Sequence, residues 1–205
     1  MPRTIFITDA ASPLGRACAV RLGRAGWNVI MGASSLSSLE DICGELPDTA
    51  TLPSRCVPTD IGNVVPVLED GEDRFGSIDA ILVNSRAKRV GWRRTLDSGI
   101  LSLAVVSEAA RPFLTRSEGH LVIAGVRGGQ RSMGGAMQTV ARQASKVIVD
   151  ALEQDWEEYP IRISLVEPHG LDGPKQMAGR IARTLNGAPP RRPIQREQPL
   201  IASRY

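Results

Sequence analysis

Residues Thr4-Ile5-Phe6-Ile7-Thr8-Asp9-Ala10-Ala11-Ser12-Pro13-Leu14-Gly15 decide how this chain is read. Thr4–Thr8 is a short apolar run of the buried-strand type, and Pro13–Ala25 carries a helical pattern directly after it. The same alternation continues outward. Trp27–Gly32 reads as a second strand, followed by a helix near Leu36–Leu46. Arg55–Pro58 is expected as a short third strand, with a helix over about Val64–Phe75. Ile78–Asn84 is a continuous apolar run and the fourth strand. A long helix over Thr95–Thr115 is expected to break or end near Pro112. His120–Ala124 is the fifth strand, Met133–Tyr159 a long helix closed by Pro160, and Ile161–Val166 the sixth strand. A helix around Pro174–Leu185 and a weak last strand near Pro193–Ala202 end the pattern. Short apolar strands alternating with helices point to one α/β domain, residues 1–205, built on a doubly wound parallel sheet covered on both faces. Ligands bind such sheets at the carboxyl ends of the strands.

Composition narrows the class. Of 205 residues, 42% are hydrophobic and 23% charged, as in a globular protein, and no run approaches the roughly 20 apolar residues of a membrane span. The start lacks a signal-peptide pattern, and Cys18, Cys43 and Cys56 are odd in number without metal-ligand spacing. They read as free thiols, so a cytoplasmic protein with no metal is expected. The net charge of +3 is uneven: residues 174–205 hold seven basic side chains against Glu197 alone, leaving the rest at −3. The basic segment, about 187–205, has Tyr205 as its lone aromatic, which does not suit a nucleic-acid site.

The residues now in view resemble the short-chain dehydrogenase/reductase family over nearly the whole chain. Thr8–Gly15 stands where that family has T-G-x-x-x-G-[IL]-G, and Asp60 where an aspartate contacts adenine. Val83-Asn84-Ser85-Arg86 stands at N-N-A-G, Arg142-Gln143-Ala144-Ser145-Lys146 at Y-x-A-S-K, and Val166-Glu167-Pro168-His169 at V-N-P-G. The resemblance implies a Rossmann-like fold and, for a nicotinamide dinucleotide, contacts from Thr8, Ser12, Leu14, Gly15, Asp60 and Asn84.

It also implies a reaction that these residues do not match. In the family a tyrosine moves the proton, a lysine lowers its pKa, a serine polarises the carbonyl and an asparagine holds a relay water. Arg142 occupies the tyrosine position and cannot act as an acid. The serine position is Gly125 or Val126, the asparagine position is Gly99, and only Lys146 remains. Asp9 and Pro13 replace two glycines of the phosphate turn, adding a negative charge and removing an N–H donor. No acid follows the second strand, where Gly32-Ala33-Ser34-Ser35 offers only hydroxyls. The segment after the sixth strand is short for a substrate lid.

Two compensations are expected. Asp9 and Arg86 leave neighbouring strand ends and could pair; the alternative is two unrelated solvated substitutions. Arg142 and Lys146 lie four apart on one helix face, so Arg142 joins Arg127 and Arg131 in a cationic cluster, swings to solvent or pairs with a nearby acid. His169 reads as structural. The helices after strands four and five, through which the family usually dimerises, present Val147, Val149, Ala151 and Leu152 as candidates for a seam.

These departures imply a non-catalytic homologue without a resident cofactor. It would act by binding or as a structural subunit, as a homo-oligomer or beside an active paralogue. One alternative is an NAD(P)-dependent oxidoreductase with a non-standard site, Lys146, Ser132 or His169 replacing the tyrosine. Another is a binder of a small anionic or phosphorylated ligand using Arg86, Arg127 and Arg142.

Overall fold

The computed structural model describes residues 1–84, 93, 96–125, 133–170 and 172–187. Among the described residues, six strands form a single parallel sheet in the order β3-β2-β1-β4-β5-β6: β1 (Thr4–Ile7), β2 (Asn28–Ala33), β3 (Thr51–Arg55), β4 (Ala80–Asn84), β5 (His120–Ala124) and β6 (Arg162–Val166). The order reverses between β1 and β4, which opens a crevice at their carboxyl ends. This is the expected three-layer, Rossmann-like arrangement.

Among the described residues, the helices covering the sheet are α1 (Pro13–Arg24), α2 (Glu40–Cys43), α3 (Ile61–Phe75), α4 (Ser102–Ser117), α5 (Met133–Asp155) and α6 (Pro174–Gly187). The alternation of side chains along each strand divides the core in two. Ile5, Ile7, Leu82 and Val122 pack under α1 and α6, whereas Phe6, Ile81, Val83 and Ile123 pack under α3, α4 and α5. Every residue of β1, β2, β4 and β5 is buried. The continuous apolar runs of the sequence have this cause.

Local chemistry starts and stops the helices near the expected places. Ser12 caps α1 by accepting the Gly15 N–H, and Pro13 follows at the first helical position, where a missing N–H costs nothing. Gly76 ends α3 at φ +86°, a conformation open to glycine. No helix among the described residues is long and apolar enough to cross a membrane.

Several boundaries differ from the sequence reading. β3 is Thr51–Arg55, not Arg55–Pro58. Pro53 argues against a central strand, but β3 lies at the sheet edge, where the missing N–H leaves no ladder bond broken. The second helix is a 3₁₀ turn, Leu36–Leu39, followed by the single turn of α2. α4 runs through Pro112 instead of breaking there. Pro112 is exposed, while Ala109, Ala110, Phe113 and Leu114 around it are buried, so tertiary packing outweighs the lost bond. A π-helical turn over Asp97–Leu101 precedes α4 where a continuous α-helix was expected. α5 stops at Asp155, short of Tyr159. The expected strand near 193–202 lies outside the described residues.

Candidate functional site

The carboxyl ends of β1 and β4 meet at the phosphate-type turn. Asp9 adopts φ +46°, the left-handed region in which Asp and Asn are the least strained side-chain-bearing residues. Its carbonyl accepts the Ser12 N–H at 3.0 Å and the Asn84 side-chain amide at 3.3 Å. Asn84 also donates to Ser12 Oγ at 2.7 Å, and its backbone N–H donates to Thr8 Oγ1 at 2.9 Å. A Cβ on Gly15 would sit 2.4 Å from the Asp9 carbonyl oxygen and 2.6 Å from Ala10 Cα. Gly15 is therefore needed for helix-to-strand contact, whether or not a ligand is present. Leu14, half-buried, packs against the core below.

Much of the donor capacity of this turn is spent internally. Pro13 has no N–H, the Gly15 N–H goes to Ser12 Oγ, and the Arg16 N–H goes to the Ser12 carbonyl. The Ala10 N–H is bound by the Gly32 carbonyl. Ala11 and Leu14 N–H and the Ser12 hydroxyl proton remain. Asp60 caps α3, accepting the Gly62 N–H at 3.0 Å and a bond from the Asn63 amide.

A second cluster forms where α5 crosses the ends of β5 and β6. Glu167, just after β6, accepts from Arg142 Nε at 2.7 Å and lies 3.3 Å from Lys146 Nζ through its other oxygen. One carboxylate thus bridges two cations one helical turn apart. The Arg142 hydrogen bond, foremost, and that of Lys146 hold the Glu167 carboxyl below its usual range, and Glu167 in turn raises Arg142. Gly125 closes the cluster. Its N–H donates to the Val166 carbonyl at 2.9 Å, and a Cβ there would meet Glu167 Cα and Cγ at 3.2 Å. A serine at this position would press on the residue that holds the two cations.

A family model described as short chain dehydrogenase matches residues 3–184. The chain belongs to the short-chain dehydrogenase family. An uncharacterized oxidoreductase of Staphylococcus aureus (strain USA300) is 24% identical over 185 residues, covering 83% of this chain and 78% of the relative. One from Staphylococcus epidermidis is 25% identical over 187 residues, covering 84% and 79%. Among solved structures, a metagenomic short-chain oxidoreductase in complex with NADP superposes with a TM-score of 0.79 at 17% identity, covering 91% of both chains. An alcohol dehydrogenase from the archaeon Thermococcus sibiricus, complexed with 5-hydroxy-NADP, gives 0.77 at 20% identity, covering 92% of both.

Measured against the sequence expectations, this short-chain dehydrogenase homologue brings Thr8, Ser12, Gly15 and Asn84 into one bonded turn. It brings Arg142 and Lys146 together through Glu167, the acid-pairing alternative to a cationic cluster. Arg86, Val126, Arg127, Arg131 and Ser132 lie outside the described residues, and with them the expected Asp9–Arg86 pair. His169 is exposed; its N–H donates to Asp172 at 2.9 Å, and its Nε2 lies 3.1 Å from Arg180. Glu167 was given no role in the sequence reading. The signal was a double departure, an acid and a base entering two separate motifs of one family pattern.

Removal of that acid has an expected outcome. Glu167→Gln leaves Arg142 and Lys146 on one helix face without a shared counter-charge. The variant should gain a few degrees of melting temperature with added phosphate, while the parent protein responds little. Equal responses in differential scanning fluorimetry would show that Glu167 does not occupy the anion's place.

Proposed function

We propose that this short-chain dehydrogenase homologue is a non-catalytic member that acts by binding, as a homo-oligomer or beside an active relative. The observation that carries this reading is the Glu167 bridge. Lys146, the single retained residue of the family's catalytic set, is engaged by a carboxylate, and its expected tyrosine neighbour is a guanidinium held by the same carboxylate. Loss of a positioned general acid alone removes about 10²–10⁴ in rate. The turn supports the same conclusion. With Pro13 lacking a donor, Gly15 N–H committed to Ser12 and an aspartate in the first glycine position, the residues present do not fit a pyrophosphate.

The deciding experiment is titration with NADPH and with NADH, followed by tryptophan fluorescence and by melting temperature. Neither signal should change saturably, and no carbonyl reduction should be measurable. Saturable binding with turnover abolished by Lys146→Ala would establish the other reading, an NAD(P)-dependent oxidoreductase with a substitute proton donor. One observation favours that alternative: Asp9 keeps the left-handed backbone that the family obtains from glycine, so the shape of the turn survives.

The outer face of α4 and α5 supports self-association. Leu101, Val140 and Val147 are 45%, 46% and 66% exposed, and Ala104, Ile148, Ala151 and Leu152 line a shallow groove between the helices. Val149, expected in the same seam, is 7% exposed and belongs to the core. It lies two residues, about 200°, around the helix from Val147, whereas Ala151 returns to Val147's face. Val147→Asp should weaken the dimer at least about tenfold, since an unpaired charge would be buried in the seam. Light scattering after size exclusion would show the shift in mass, and a parent protein monomeric at every concentration would refute the seam.

A further inference from the structure

α1 and α6 pack side by side on the face of the sheet opposite the α4–α5 seam. They leave between them an open groove of about 920 Å³. Both helices follow strands of one parallel sheet and cover the same face, so they run in the same direction. Their N-termini, Pro13 and Pro174, lie at one end of the groove, and neither helix has an acid in its first turn. The positive ends of two helix dipoles lie there, with Asp172, two residues before α6, paired to Arg180 at 3.1 Å.

The lining divides by chemistry. Pro13, Ala17, Val20 and Ala178 supply an apolar floor, and Arg16, Arg21, Arg24 and Lys175 the cationic rim. Glu45, the one carboxylate in the wall among the described residues, sits between Arg16 at 2.7 Å and Arg24 at 3.0 Å, so the groove already holds a carboxylate between two guanidiniums. Arg21 lies over Gly179, where a Cβ would be 3.7 Å from its Cζ. It is exposed, as is Lys175, and neither has an ion pair among the described residues.

We propose that this groove is the docking site for an acidic, amphipathic peptide segment of a partner protein. Apolar side chains of the segment cover the floor, and its carboxylates meet Arg21 and Lys175. Charge complementarity chooses the occupant. The chain's own segment 188–205 is a poor candidate, since it carries four arginines against Glu197 alone. Nucleic acid is disfavoured because, among the described residues, no aromatic side chain lines the groove for base stacking. The length of α1 gives a track of about 18 Å, which spans about six residues of extended peptide.

The test is fluorescence anisotropy of the full chain with a fluorescein-labelled peptide of about ten residues, glutamate alternating with leucine. A saturable rise that weakens with added salt is expected. The double variant Arg21→Glu, Lys175→Glu should bind at least about tenfold more weakly, with an unchanged melting temperature because both side chains are exposed. Arg55→Glu, on the exposed edge strand β3 and outside both the groove and the α4–α5 seam, should bind as the parent does. A glutamine-for-glutamate peptide should not bind. No saturable binding, equal binding by the double variant, or displacement of the peptide by a single-stranded RNA oligonucleotide would overturn the proposal. So would a peptide-inert protein whose own association is lost in the double variant, because the occupant would then be a second copy of the chain.

Discussion

Gly15→Ala is expected to cost about 3 kcal/mol or more, or to prevent folding altogether. The new Cβ would lie 2.4 Å from the Asp9 carbonyl oxygen, 2.6 Å from Ala10 Cα and 2.9 Å from the Ala10 carbonyl carbon. These are backbone atoms of the turn, so no side-chain rotation relieves the contact. Either α1 moves away from the sheet or the turn loses the bonds that Asp9 and Asn84 make within it. For a protein of this size the melting temperature should fall by about 6–12 °C. Gly44→Ala is the control. Its Cβ would come no nearer than 3.7 Å to any neighbour and its φ is −63°, so stability should hold or rise slightly. Chemical denaturation of both variants reads the difference. A Gly15→Ala protein as stable as its parent would mean that α1 does not press on the turn. The result would also separate two meanings of one motif glycine, since this one is required by packing without any ligand present.

Acidification should destabilise the protein before its carboxylates protonate, and His120 is the cause. Its side chain is 2% exposed, its Nε2 is bonded to Ser164 Oγ at 2.9 Å, and its buried Nδ1 has no hydrogen-bond partner among the described residues. Burial, reinforced by Arg162 directly across the β5–β6 ladder, pushes the imidazole down to about 4. The unfolded chain binds the proton at about 6.5 and the folded one only near 4, so stability rises with pH across that window. Falling pH should therefore remove about 3 kcal/mol in total, with about 2 kcal/mol already gone at pH 5. Glu167 and Asp172, held below their usual values, add losses at lower pH, beginning as the pH falls through the ordinary carboxylate range and complete below their lowered values. Urea midpoints at pH 7 and pH 5 measure the histidine contribution. In His120→Gln, which keeps a polar group facing Ser164 but does not titrate, the difference between the two midpoints should largely vanish. An unchanged difference in that variant would assign the acid sensitivity elsewhere.

Strand and helix identity was legible because each depends on short-range pattern. The apolar runs Thr4–Thr8, Ile78–Asn84 and His120–Ala124 read correctly since a strand buried on both faces needs nearly continuous apolar side chains. The errors fell where a local rule met a tertiary circumstance. Pro53 is harmless at an edge and Pro112 on an exposed helix face. Neither an edge nor a face is written in the residues next to a proline. The same holds for Val149, which shares the apolar character of Val147 and differs in which side of α5 it occupies.

The site divides in the same way. The one-dimensional order of residues was enough to propose Arg142 for the tyrosine position, Gly125 or Val126 for the serine position and Asp9 for the phosphate turn, because a motif is a matter of spacing. By itself it determined the doubly wound fold and which functional groups the chain does and does not possess. Only the tertiary structure decided what those groups do to one another. Glu167 lies 25 residues from Arg142 in sequence, and parallel pairing of β5 with β6 sets it beside α5. Charge partners are selected by distance in space, over a few ångströms, and the packing of α5 against β6 brings these side chains within that range.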